Sequence, residues 1–122
     1  MANDLERFGA SLASLAERMR RVIGGAIPMA FEEASRARVV MTMQVDHRAH
    51  QPGGLLHGGA SLVLAESAAS IGAMLNCANG MTAVGKEINA NHIRARRDGL
   101  VRAVAEPLHS GRTSLVWSVD PR

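Results

Sequence analysis

Between Arg48 and Lys86 the sequence carries one formally charged side chain, Glu66, in a run of 37 otherwise neutral residues. Glu66 falls inside residues 58–76, GGASLVLAESAASIGAMLN, whose apolar and small side chains wrap nearly all the way round a helical wheel. A helix that is apolar on every side is expected to be covered on every side, and an uncompensated carboxylate in such a place is costly. The group must then be paired, protonated or opened to a cleft. No Lys or Arg lies within a turn of it, whereas Ser70, four residues on, shares its face and can donate a hydrogen bond. A carboxylate isolated in this way suits acid–base or nucleophilic chemistry. The competing reading is a Glu that reaches solvent at a helix edge or meets an Arg from a strand.

The same helix opens with His57-Gly58-Gly59, after the loop His50-Gln51-Pro52-Gly53-Gly54-Leu55-Leu56. Glycines at a helix start leave backbone N–H groups bare, where a developing oxyanion can approach without meeting a Cβ. The helix dipole adds to that attraction. With His57 and Gln51 beside them and Glu66 farther along, they describe an acyl-transfer site. Two turns separate Gly58 from Glu66, about 12 Å along the axis, so the two cannot act on one substrate atom unaided. A neighbouring subunit or an adjacent segment has to bring donor and carboxylate together.

The elements that must hold these groups are legible in outline. Leu5, Phe8, Leu12, Leu15, Met19 and Val22 recur at helical spacing and predict an amphipathic helix over 4–23, capped by Asn3 or Asp4 and stopped by Gly24-Gly25. That helix is either a lid or partner helix, or simply a helix laid over the core. A short strand over 27–34 and a turn at Ala34-Ser35-Arg36 precede a half-buried strand over 37–46, in which Val39, Met41, Met43 and Val45 alternate with more polar neighbours. Residues 47–56 form a loop and 58–76 the apolar helix. After a turn at Asn79-Gly80, strands are expected over 82–93, 100–109 and 113–120, with tight turns at Gly99 and Gly111-Arg112. One apolar helix with antiparallel strands before and after it is an α+β pattern. There is no internal repeat and no linker; residues 1–25 form the N-terminal helical segment and 26–122 the domain proper.

Composition narrows the function classes. The 122 residues are 47% hydrophobic but only 2% aromatic, so Ala, Val, Leu, Ile and seven Met must fill the core. Thirteen of the 14 cations are Arg, yet the net charge is only +3 and the Arg residues are scattered, without aromatics to stack bases, which argues against nucleic acid. The single Cys77 excludes a disulfide framework and a Cys-rich metal site, and suggests a reducing, cytoplasmic compartment. The acidic start MANDLERFGA is unlike a signal peptide, and polar residues interrupt the uncharged run over 67–85, so no membrane span is expected.

From Asp46 to Val119 the sequence resembles the hot-dog-fold acyl-CoA thioesterases. The runs HQPGGLLHGGASLVLAESAAS, VGKEINANHIR and VRAVAEPLHSGRTSLVWSV carry the likeness. Within that family it is most similar to the Arthrobacter-type 4-hydroxybenzoyl-CoA group, with the enterobactin-synthesis proofreading and 1,4-dihydroxy-2-naphthoyl-CoA thioesterases. The resemblance implies a long central helix (about 57–76) held in a curved antiparallel sheet, with active sites at a dimer interface where Glu and helix start come from different subunits. It gives Glu66 the role of nucleophile or general base and Gly58 N–H that of oxyanion donor. Gln51 and His57 become orienting groups for the carbonyl, the water or the leaving thiolate, and Ser70 helps place the water or the Glu. The alternative readings are that Gln51 only fixes its loop and that Ser70 only packs the helix. His92 matches a residue near the acyl group or the dimer face. Arg94, Arg96, Arg97 and Arg112 stand at strand ends or turns where guanidinium groups could meet CoA phosphates, with Arg94 and Arg112 favoured by their places in the family-like runs. His47, His50 and His109 read as structural or surface residues, and no His pair stands at a zinc-like spacing with a carboxylate, so neither metal nor cofactor is implied.

The implied reaction is hydrolysis of an acyl- or aroyl-CoA, or of an acyl carrier-protein thioester, by a homodimer or tetramer. The alternatives are a hot-dog dehydratase or hydratase, and a non-catalytic acyl-CoA-binding module. The family pattern also runs on into one more strand, beside the post-helix strand. This sequence ends at Asp120-Pro121-Arg122, where Pro121 is expected to stop the ladder. Without that strand, backbone groups on two strands stay unpaired, at about 1–3 kcal/mol for each that is buried.

Overall fold

The period-two alternation of Val39, Met41, Met43 and Val45 puts all four on one face of a strand. The computed structural model describes Leu5, residues 11–92 and residues 94–121. In it this strand is β2 (Val39–Gln44), and the four side chains are at most 3% exposed. β2 pairs antiparallel with β1 (Met29–Ala34) on one side and with β3 (Leu100–Ser110) on the other, and β3 pairs with β4 (Leu115–Pro121). Met29 stands opposite Met43, Met41 opposite Ala103, and Ala105 opposite Val119. The β3–β4 register shifts between Pro107 and His109, beside a residue with no N–H to give to the ladder. β2 departs from the half-buried strand that its alternation predicts. Val40 and Thr42 are buried too, since β2 is an interior strand and Val40 lies opposite the equally buried Val104.

Residues Gly58–Leu75 form the long helix, α3, which lies against the sheet face that carries Met41 and Met43. Ala60, Leu64, Ala68, Gly72 and Leu75 recur at nearly four-residue steps and make its buried stripe. Small side chains there let helix and strands approach closely, and burial of Leu64 alone stabilises by about 1.5–3 kcal/mol. At Gly72 the approach is closest: the Trp117 ring of β4 occupies the space any side chain would need. The far end of α3 is tied to the β1–β2 turn, where Arg36 Nε donates to Leu75 O (3.1 Å) and Asn76 Nδ2 to Arg36 O (3.0 Å). By length and composition α3 could cross a membrane, but here its stripe of small residues is matched by the sheet. The sequence predicts burial on every side, and that expectation fails: one sheet covers one face, so Glu66 on another is exposed.

Three further differences have local causes. The N-terminal helix α1 spans Leu12–Arg20 and is capped by Ser11, whose Oγ accepts the Ser14 N–H at 3.0 Å. The caps expected at Asn3 or Asp4 lie outside the described residues. Gly24-Gly25 do not stop that helix but sit inside a short turn of helix, α2 (Ile23–Ala26), with Gly24 buried against Met19. Residues 82–92 form no strand. They run back along α3, with Gly85 beside Glu66 and His92 beside Gly58, because no described strand lies beside them to complete a ladder. Ile93 lies outside the described residues. Pro121 does not stop the β4 ladder either: it is the last paired residue, opposite Ala103, a strand-end place where a missing N–H is tolerated.

Replacing Gly72 with Ala should force Trp117 aside and lower stability by about 1–3 kcal/mol. Urea unfolding followed by Trp117 fluorescence measures it, and an unchanged midpoint with an unchanged spectrum contradicts the packing described.

Candidate active site

The helix start is held by its own cap and by the loop before it. His57 is the N-cap of α3, and its Nδ1 accepts the Gly59 N–H at 2.8 Å. This bond makes Nδ1 an acceptor, so a neutral His57 carries its proton on Nε2, free to donate outward. Ala60 N–H returns to His57 O at 3.0 Å. Gly58 N–H is left without a bonding partner among the described residues, which is the bare donor that an oxyanion requires. The His92 imidazole lies beside Gly58: a Cβ there would come within 3.3 Å of its Cε1.

The loop is clamped from both sides. His57 N–H donates to Ala49 O and Leu56 N–H to Arg96 O, each at 2.7 Å, and His50 Nε2 lies 2.8 Å from Arg97 O. Ala49 closes a 3-10 turn, His47–Ala49, whose cap is Asp46. Asp46 Oδ1 accepts from the Arg48 N–H (3.0 Å) and Nε (3.1 Å), and Oδ2 from Nη2 (2.7 Å). The Arg48 side chain, then its N–H, holds the Asp46 carboxyl down at about 2, from an ordinary 3.8.

Glu66 stands on the α3 stripe Val63, Glu66, Ser67, Ser70 and Ile71, which runs beside the buried stripe, with Val63 and Ile71 partly buried against the core and Glu66 exposed. These residues, with Met19 of α1 and Ile23 of α2, line a cavity of about 330 Å³. Among the described residues no side chain bonds to the Glu66 carboxylate, so the pairing with Ser70 suggested by their spacing is a shared cavity rather than a hydrogen bond. Gly85 abuts the carboxylate so closely that any side chain there would collide with Oε1.

The structure thus brings His57, Gly58, His92, Gln51 and the Arg94–Arg97 segment to one end of the sheet, and leaves Glu66 and Ser70 farther along α3. Gln51 Oε1 accepts the N–H of Gly53 in its own loop, the loop-fixing alternative. Arg94 and Arg112 are not brought together. They flank opposite ends of β3, whose 11 residues extend about 36 Å, and both are exposed. Among the described residues no three His, Cys, Asp or Glu side chains converge on a metal-sized site. Ser67, Met19, Ile23 and Gly85 are not among the site residues expected from sequence, where Met19 reads only as part of the apolar face of the N-terminal helix. Ser67 is readable from the 63/66/67/70/71 spacing, whereas Gly85, inside a run that reads as a strand, carries no local signal.

Residues 53–120 match the family model described as the thioesterase superfamily. The chain is 47% identical over 96 residues to the 1,4-dihydroxy-2-naphthoyl-CoA hydrolase of Escherichia coli, covering 79% of this chain and 71% of that one. It is 53% identical over 78 residues to the proofreading thioesterase EntH of Cronobacter sakazakii, covering 64% and 57%. In structure it is similar to a thioesterase of Haemophilus influenzae, with a TM-score of 0.87 and 38% identity, over 92% of this chain and 78% of that one.

A carboxyl held below its unfolded value stabilises the fold above that value and loses the contribution as pH falls through the folded one. Asp46 should therefore weaken the chain between pH 3.8 and about 2, and Asp46→Asn should flatten that part of the acid-unfolding curve. Carboxyl NMR titration of Asp46 gives the same test site by site; an ordinary value near 3.8 contradicts the clamp.

Proposed function

The chain belongs to the thioesterase superfamily and is a thioester hydrolase, and we propose that it cleaves an acyl- or aroyl-CoA to the free acid and CoA thiol, with Glu66 and the α3 start as its machinery. The observation that carries this reading is that one helix presents both an unbonded Gly58 N–H and an unbonded Glu66 carboxylate. The relatives named for CoA-thioester and proofreading hydrolysis support the substrate class. An acyl carrier-protein thioester presents the same bond and is a second substrate to try.

In the proposed reaction the thioester carbonyl oxygen takes the Gly58 N–H, which strengthens as negative charge develops there. Glu66 either attacks the carbonyl carbon, breaking the C–S bond to release the CoA thiolate and leave an anhydride that water then hydrolyses to the acid, or takes the proton of a water that attacks the carbonyl and expels the thiolate directly; Ser67 and Ser70 supply hydroxyls beside it. The Nε2–H of His57 meets the carbonyl or the departing thiolate, since Nδ1 is held by Gly59. The Arg94–Arg97 segment, tied next to the helix start through Arg96 O, is a source of cations for the CoA phosphates; Arg112 would reach the same ligand only from another copy. A hydratase would want a His base in the cavity, where this chain has a Glu.

Gly58 and Glu66 stand about 12 Å apart along α3, so we propose that two copies pair to join one copy's donor to the other's carboxylate. The 82–92 segment supports this, with Val84 84% and Ile88 39% exposed on a stretch unpaired to any described strand. The single Cys77 fits a reducing, cytoplasmic setting.

Thiol release from a panel of acyl- and aroyl-CoA esters tests the reading. Glu66→Gln should lower kcat roughly 10²–10⁴-fold with little change in KM; undiminished turnover removes Glu66 from the mechanism. Enoyl-CoA hydration without thiol release would favour the hydratase, and tight binding without turnover the binding module. A mixture of Glu66→Ala with Gly58→Val should regain up to about half the wild-type activity if sites are shared. No recovery in verified mixed dimers, or full activity in a monomeric wild-type fraction, excludes sharing.

A further inference from the structure

We infer that the cavity between the N-terminal helices and the outer stripe of α3 receives the acyl group, and that Met19 and Ile23 set which acyl groups fit. This rests on the thioesterase reading and adds to it the chemical class of the acyl part. The cavity, about 330 Å³, lies at the small end of the roughly 300–1,000 Å³ usual for small-molecule sites. Its lining is divided. Glu66, Ser67 and Ser70 form one polar strip, while Val63 and Ile71 flank it on α3 and Met19 and Ile23 close it from the other side.

That division orients a thioester. The reacting carbonyl belongs with the carboxylate and hydroxyls, and what extends beyond it meets the apolar side chains of Val63, Ile71, Met19 and Ile23. None of the described lining residues is Lys, Arg or His, so an acyl group ending in a carboxylate would meet no cation among them and would lie next to Glu66. The acyl part is therefore an uncharged aliphatic chain or aromatic ring.

The two closing residues differ in kind. Met19 is unbranched and can rearrange around guests of different shape. Ile23 is β-branched and stiff, and it is 45% exposed, at the cavity mouth. A larger residue at Ile23 can thus intrude on the cavity without displacing the main core. Both lie outside residues 53–120, the stretch matched by the superfamily model.

The experiment measures kcat/KM for acetyl-, hexanoyl-, decanoyl- and benzoyl-CoA on wild type, Ile23→Trp and Met19→Ala, each checked for native circular dichroism. The quantity read is each ratio to acetyl-CoA within one variant. Ile23→Trp should lower the decanoyl and benzoyl ratios at least tenfold, and Met19→Ala should raise them, in keeping with roughly 10–200-fold per methylene-sized change in an apolar pocket. Ratios that stay within twofold in both variants overturn the inference while leaving hydrolysis intact. If wild type cleaves none of the esters, the thioesterase reading fails separately, and the cavity is judged by affinity for the uncleavable thioether S-decyl-CoA. A tenfold or greater loss of that affinity in Ile23→Trp supports the acyl site; equal affinity in all three proteins overturns it.

Discussion

The close seating of α3 on the sheet is the contact on which the rest depends. With only two Phe and one Trp in 122 residues, the core cannot be filled by large rings spanning a wide gap. It is filled by bringing backbones together, with Ala60, Ala68 and Gly72 on the helix facing Met41, Met43, Ala103 and Ala105 on the strands. Packing at crystal-like density leaves little freedom in the rotation of that helix about its own axis. A shift of one residue, about 100°, would turn Glu66 from its cavity and expose the small stripe. The position of the carboxylate is in this sense a property of the core.

Much of this was readable in the residues, and the failures share a cause. β1, β2, β3, β4 and α3 follow periodicities of two and of small-residue spacing that any folded state of these segments must bury. The family-like runs single out Gly58, His57 and Glu66, and the structure places the first two at the start of α3 and the third beside a cavity. Sequence periodicity says that a face is apolar but not what covers it. Hence α3, apolar all round, read as fully enclosed, although the described sheet meets only one side. The run over 82–92 has strand-forming residues, but a strand is made by its neighbour as much as by itself, and no described strand stands beside it. Gly24-Gly25 read as a stop because glycine is a poor helix former; against Met19 the lack of a side chain instead allows a second helical turn to pack tightly.

The site shows how positioning is distributed. His57 caps the helix with one ring nitrogen and leaves the other outward, so one side chain both builds the helix start and keeps a second ring nitrogen for another partner. The loop that presents it is held by carbonyls of Arg96 and Arg97 and by the turn that Asp46 caps. Those arginines thus act through their backbone, whatever their guanidinium groups bind. Gly85 keeps the segment from 82 to 92 close against Glu66 without obstructing it.

The cavity beside Glu66 has one wall on α3 and another on α1 and α2, and the two walls are subject to different demands. Under the proposed mechanism, residues on α3 answer to the sheet on one side and to the reaction on the other, so few substitutions satisfy both. Met19 and Ile23 belong to short helices joined to the sheet by a single strand connection and carry no charge or proton. Natural variation can therefore alter this wall without altering the other, and diversification of substrate range within a lineage would accumulate in the first thirty residues while the chemistry stayed constant.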